Sequence, residues 1–320
     1  MSESKSMTAV TAKSDVSLVS LIERFGHDEE ACRSYLERLR WGAEGPQCPK
    51  CGGRKVSHLR KRRQLDCNSC RYRFSVTTGT VFHDSHLPLW KWFLATYLMT
   101  DAKKGVSANQ LRRELGVAYK TAWYLCHRIR SAMTEAGAPL SGTVEIDETY
   151  VGGRPRSGSK SAHGAPGHKS KIMVMGAIER GGNVRLHVEK RGASASAHTV
   201  DSFLAGTVAP EAHHLYTDQA LAYKHLDGRH EAVDHGREEW VRGDVGTQGI
   251  ESAWSLLKRS IIGSYHQLSE KHLQAYADEF AFRFNNRENP YLFRDTLLAL
   301  VGADALTYES LTHGPAPSVG

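Results

Sequence analysis

Apolar positions change their period along this chain. Cys32, Tyr35, Leu36, Leu39 and Trp41 recur at helical spacing from about Asp28, after a shorter helix through Leu18, Leu21 and Ile22 for which Asp15 is the expected cap. Gly42, Gly45 and Pro46 break that pattern. Residues 87–133 read as helical again, with Trp90, Trp92, Phe93, Leu94, Tyr97 and Leu98 on the first helix. From 143 the period shortens: TVEIDETYV alternates as a strand does, and KIMVMGAIE and VRLHVEK flank Arg-Gly-Gly-Asn as a hairpin. Thr199–Val208 predicts a helix, His214–Tyr216 a short buried strand ending at Thr217-Asp218, and 249–262 and 268–287 two further helices. Strand, hairpin, helix, strand, helix is an α/β arrangement with a mixed sheet.

The expected division is a disordered tail at 1–14, N-terminal helices at 15–46, a cysteine-bearing module at 47–82, a helical region at 83–140, an α/β unit at 141–302 and a frayed tail at 303–320. Composition changes this picture little. The 320 residues are 40% apolar and 24% charged, an ordinary globular mixture. Lys and Arg total 42 against 35 acids, for a net charge of +7, which leans toward a polyanionic partner. No apolar run is long enough for a membrane span, and MSESKSMTAVTAKSD lacks an apolar signal core, so the expected location is a reducing cytosol.

Six cysteines in so long a chain do not make a disulfide scaffold. Four form C-x2-C pairs, Cys48 with Cys51 and Cys67 with Cys70, and two such knuckles complete a tetrahedral S4 site for one Zn2+. With every position filled by protein, that zinc is structural; the competing reading is four incidental buried cysteines. Cys32 and Cys126 stand apart, as core residues of helices. Between the pairs runs Arg60, Lys61, Arg62 and Arg63, either a phosphate-contacting edge or a solvated loop.

Ser107 to Trp123 places Leu111 and Leu115 before Gly116 and begins a second helix near Tyr119, the spacing of a helix-turn-helix unit or of an ordinary helical hairpin. In the first case the second helix enters the major groove of double-stranded DNA, with Lys120, Arg128 and Arg130 among its contacts. Three acids occupy positions that suit a metal site. Asp147 lies within a strand, Asp218 ends another, and Glu251 opens a helix; together they can hold two Mg2+ (or Mn2+) ions roughly 4 Å apart for phosphoryl transfer. Singly, each is equally a cap or a surface charge.

These blocks together resemble bacterial insertion-sequence transposases of the DDE class with an N-terminal zinc ribbon, the ISXO-two-like (IS-fifteen-ninety-five) family. The resemblance runs from about residue 20 to 295. It rests on the C-x2-C pairs, Val76-Thr-Thr-Gly-Thr-Val-Phe82, Glu145-Ile-Asp-Glu-Thr-Tyr-Val-Gly-Gly153, Tyr216-Thr-Asp218, Ile250-Glu-Ser-Ala-Trp-Ser-Leu-Leu-Lys258, Gly263-Ser-Tyr-His266 and Glu279-Phe-Ala-Phe-Arg-Phe-Asn-Asn-Arg287. It implies an RNase H-like catalytic domain and cut-and-join chemistry at the ends of a mobile element. Asp147 and Asp218 match the family's first two catalytic acids, and Lys258 its basic residue one helical face from the glutamate. Lys258 is otherwise a plain surface lysine. The chain departs from the pattern at Gln248, where many members have an Asn taken as the third catalytic position. Glu251, with its full charge, is the expected third ligand, and Gln248 its competitor.

Glu279, Arg283 and Arg287 share a helix face, as an ion-pair ladder or as groups ordering the active site. Gly152 to Lys171 contains no acid and reads either as a linker or as a segment closing over DNA. The expected function is a transposase that binds terminal inverted repeats and acts as a dimer or larger oligomer, because two element ends are handled together. Its rivals are a DNA-binding regulator on an inactive scaffold and a metal-dependent nuclease.

Overall fold

The computed structural model describes residues 16–134, 137–152, 171–218, 220–226, 230–233, 241–266 and 268–313. The tail at 1–14, the cap Asp15 and the acid-free segment 153–170 lie outside them. The chain divides into two units, Met1–Met133 with Glu288–Gly320, and Thr134–Arg287.

The first unit opens with α1 (Leu18–Phe25) and α2 (Glu29–Trp41). Ser17 caps α1 by accepting from the Ser20 N–H at 3.1 Å, and Ser20 returns the bond in a capping box. Asp28 caps α2 through the Glu30 and Ala31 N–H groups. A three-stranded antiparallel sheet follows, β1 (Val56–Leu59), β2 (Gln64–Cys67) and β3 (Arg73–Phe74), in the order β1-β2-β3. Leu65, Phe74 and two of the cysteines form its small core, against which Trp41 packs.

Next come α3 (Leu89–Asp101), α4 (Ala108–Leu115) and α5 (Tyr119–Arg130). Leu111 and Leu115 are buried on α4, as are Ala122, Leu125 and Ile129 on α5. Gly116 closes α4 at φ 60°, a left-handed conformation that glycine adopts without strain. Two helices thus meet at a glycine turn, an arrangement that a helix-turn-helix unit and an ordinary helical hairpin share.

The second unit is built on a five-stranded mixed sheet. Its strands are β4 (Thr143–Val151), β5 (Ile172–Glu179), β6 (Val184–Val188), β7 (His214–Asp218) and β8 (His230–Val233), in the order β6-β5-β4-β7-β8. β5 runs antiparallel to β4 and β6, while β7 is parallel to both β4 and β8. Helix α6 (Ala197–Thr207) crosses from β6 to β7, and Val200 and Phe203 pack it over Val144, Ile146, Met173 and Met175. A short hairpin, β9 (Val241–Arg242) with β10 (Val245–Gly246), leads into α7 (Gln248–Ser260). A single π turn, Ile261–Tyr265, joins α7 to α8 (Glu270–Asn285). Ile250, Trp254 and Leu257 of α7 and Leu273, Ala277 and Phe280 of α8 cover the opposite face, over Val174, Ile178, Val184 and Leu186.

Two expected boundaries move. Helix α9 (Leu292–Gly302) groups with the first unit and packs on α2 and α3, with Phe293 edge-on to Phe93 at 6.0 Å, so the α/β unit ends near 287 and not at 302. The tail expected from 303 contains a further short helix, α10 (Tyr308–His313), whose Tyr308 ring stands edge-on to Tyr124 at 5.5 Å.

Candidate active site

Strand alternation decides which β4 acids meet α7. Val144 and Ile146 point to the α6 face, so Glu145 and Asp147 point to the other. The β4–β7 register pairs Glu145 with Tyr216; two residues further, the same offset sets Asp218 level with Asp147. On the other flank Asp147 pairs with Gly176 of β5.

Asp147 Oδ2 accepts the Trp254 indole N–H at 2.9 Å. Burial pushes the Asp147 carboxyl up to about 7, with the nearby negative charges of Glu148 and Asp218 adding to the rise and the indole bond opposing it. Glu148, on the α6 face, accepts from the Tyr223 hydroxyl at 2.7 Å, and its carboxyl is raised by burial and by Asp218. Asp218 Oδ1 accepts the Ala220 N–H at 3.0 Å. The structure thus brings Asp147 and Asp218 together and adds Glu148, whose place in the cluster alternation alone did not suggest.

Glu251 stands apart. It is exposed in the first turn of α7 and accepts from the Thr247 hydroxyl at 2.9 Å. Gln248, the first residue of α7, and Lys258, two turns on from Glu251, are also exposed. Among the described residues, the group of His, Cys, Asp and Glu side chains drawn together as a ligand set is the cysteine quartet, not the three acids. The chemistry of the donors nevertheless fits a hard divalent cation: carboxylate oxygens whose mutual repulsion and burial raise a carboxyl are the groups such a charge relieves.

Cys48, Cys51, Cys67 and Cys70 do converge, with all four sulfurs within 4.8 Å of one another. Sγ–Sγ separations of 3.7 Å (Cys48–Cys70) and 3.6 Å (Cys51–Cys67) compare with roughly 3.8 Å for a tetrahedron of ordinary Zn–S bonds. Each knuckle turns on a left-handed residue, Gly52 at φ 71° and Arg71 at φ 59°. The Cys70 backbone N–H holds the Cys67 thiol down to about 6, toward the thiolate that zinc takes. Cys32 and Cys126 are fully buried, as core residues should be.

The basic residues separate into two groups. Arg60, Lys61, Arg62 and Arg63 are exposed at the turn between β1 and β2, and Lys120 is exposed at the start of α5 with its ammonium 4.3 Å from the Tyr308 ring centroid. Arg128 and Arg130 are not surface groups, which corrects their expected part in DNA contact: they are 3% and 2% exposed. The Arg128 guanidinium donates to the His83 carbonyl and lies over the rings of Trp92 and Tyr124, because the second half of α5 is enclosed by core. Glu279 is fully buried, accepting from the Tyr265 hydroxyl at 2.7 Å and pairing with Arg283 at 3.4 Å, while Arg287 is exposed and lies over Phe284.

Sequence reasoning missed Trp254 and Glu145 as supports of the site. Two glycines were the available signal. A Cβ on Gly176 would stand 2.4 Å from the Trp254 indole, and one on Gly249 would stand 2.8 Å from Glu145 Oε2.

Comparison with known proteins finds two family models along the chain. Residues 139–285 match the family model of the ISXO2-like transposase domain, and residues 27–73 match that of the transposase zinc-ribbon domain. A protein of Halobacterium salinarum described as an uncharacterized protein in transposable element ISH50 is 31% identical over 272 residues, covering 80% of this chain and 90% of that protein. No solved structure matches the chain.

Proposed function

Because the chain belongs to the ISXO2-like transposase family, we propose that it is a metal-dependent transposase that binds the terminal inverted repeats of its element, cleaves there and transfers the freed strand to target DNA. One observation carries the catalytic part: Asp147 on the central strand lies level with Asp218 at the end of its parallel neighbour, and the Trp254 indole of α7 donates to Asp147. The strand order β6-β5-β4-β7-β8, with only the first three strands antiparallel in sequence, supports an RNase H-like reading of this unit.

In this account Asp147, Asp218 and Glu251 would hold two divalent ions, Mg2+ or Mn2+, whose chemistry there would be activation of the nucleophile and stabilisation of the leaving oxygen. Trp254 holds one oxygen of Asp147 and so orients the other. Lys258, on the Glu251 side of α7, meets the phosphate. Water adds across a P–O bond at the element end and leaves a 3′-OH. That hydroxyl then displaces a target 3′ oxygen in a second in-line step, so no protein–DNA covalent bond is needed. The zinc ribbon and the start of α5 bind the duplex, the protein works in the cytoplasm as a dimer or larger oligomer on DNA, and no described helix is long and apolar enough to cross a membrane.

One observation favours a second reading, a DNA-binding regulator that no longer cuts: a Glu251 oxygen is taken up by the Thr247 hydroxyl at the start of its own helix. Incubation of the purified protein with Mg2+ and DNA bearing the element ends separates the possibilities. Joined products support the transposase, cleaved ends alone a nuclease, and bound but intact duplex the regulator.

A further inference from the structure

Glu145 is buried, with its side chain 4% exposed, yet the catalytic reading gives it no task. Both its oxygens are committed. Oε2 accepts the Gly249 N–H at 2.7 Å and the Ile250 N–H at 3.0 Å, while Oε1 accepts from Arg180 Nε at 2.9 Å. The first two donors are orphan N–H groups at the start of α7, whose own N-cap, Thr247, makes no capping bond. A strand carboxylate therefore caps a helix 104 residues away. Gly249 permits the approach, since a Cβ there would collide with Glu145 Oε2 at 2.8 Å.

Arg180 extends the node. It donates to the Gly246 carbonyl at 3.3 Å and lies over the Tyr216 ring, 4.8 Å from its centroid. The pair thus grips three segments, each two residues before a catalytic candidate: Glu145 before Asp147, Tyr216 before Asp218 and Gly249 before Glu251. A carboxylate with both oxygens used in this way is a cap and not a cation ligand.

We propose that Glu145 and Arg180 form a positioning pair that sets α7, and with it Glu251, against the strands carrying Asp147 and Asp218. This rests on the reading of those three acids as the cation site. Neither residue touches DNA or the reacting atoms; the pair acts through the backbone at Gly246, Gly249 and Ile250.

The test uses the full-length, zinc-loaded chain with Mn2+ as the probe, free Mn2+ being followed by its paramagnetic resonance. Glu145→Gln retains one carbonyl acceptor for the α7 N–H groups but not the charge, and Arg180→Lys retains the charge but not the fork. Both are expected to bind Mn2+ about tenfold or more weakly at a temperature where circular dichroism shows them folded, with Glu145→Ala worse than Glu145→Gln. A merely structural pair would lower the melting temperature and leave Mn2+ affinity alone, and that result overturns the proposal. If the Glu145 variants do not fold, Arg180→Lys, altered at an exposed side chain, decides by the same criterion. A wild-type protein that binds no Mn2+ also overturns it. A wild type that binds Mn2+ but leaves DNA intact defeats the transposase reading only, and the positioning pair is then judged on Mn2+ affinity.

Discussion

The Trp254 indole donates to Asp147 across 107 residues of sequence, and this bond fastens α7 to the central strand. It exists because residue 176, directly across the ladder from Asp147, is glycine. Gly176→Ala places a methyl 2.4 Å from the indole ring, so the ring or the strand must move. Overpacking of this kind costs about 1–3 kcal/mol, read from urea unfolding followed by circular dichroism. Trp254→Phe in the same chain should recover part of the loss, because the smaller ring vacates the space.

Asp147 gives stability a pH dependence of definite sign. Its folded carboxyl titrates near 7 against an ordinary 3.8, so the folded state binds the proton more tightly. The cost of ionising it is therefore absent below about pH 4, grows as pH rises toward 7 and is complete above that. Asp147→Asn should be more stable than wild type at pH 8 in chelator, by on the order of 4 kcal/mol, with the two converging at pH 4. Mg2+ should narrow the gap at pH 8 by stabilising the wild type alone. Equal stability across the range would show that the carboxyl is not destabilised by its surroundings.

Two sets of arginines should behave in opposite ways. Reversing the charge of exposed Arg60, Lys61 and Arg62 should weaken DNA binding and flatten its dependence on salt concentration, because fewer counterions are released. Arg128→Ala should instead destabilise the fold by about 1–3 kcal/mol, removing a buried guanidinium from between Trp92 and Tyr124. Fluorescence anisotropy over a salt series, with thermal unfolding alongside, distinguishes them.

The ribbon has too small a core to hold itself without metal, since Leu65, Phe74 and two cysteines are its buried apolar residues. Metal analysis should find one Zn2+ per chain, and Cys67→Ser/Cys70→Ser should lose it together with DNA affinity. Full zinc content in that variant would end the assignment.

Much of this was readable in the chain. Alternation marked β4 and β6, and a long apolar run marked β5, because a strand covered on both faces selects such residues. β8 was not readable: His-Glu-Ala-Val is short and half polar, and only pairing with β7 makes it a strand. Asp147 and Asp218 were legible as acids at strand positions. The parts played by Glu145 and Trp254 were not, since each is defined by a partner more than a hundred residues away. Arg128 and Arg130 were misread for a related reason. Helical spacing says which residues share a face, but not that the last turns of α5 are surrounded by core.

The central claim is that Asp147, Asp218 and Glu251 form one cutting and joining site. Quantifying joined products from labelled element-end DNA with Mg2+ tests it directly, comparing wild type with Asp218→Asn, Glu251→Gln and Gln248→Ala at equal DNA occupancy. The account predicts joined strands from wild type, none from Asp218→Asn or Glu251→Gln, and a smaller loss for Gln248→Ala, whose amide offers a neutral oxygen where Glu251 offers a full charge. Normal joining by Glu251→Gln together with an inactive Gln248→Ala would contradict it and make the amide position the catalytic one.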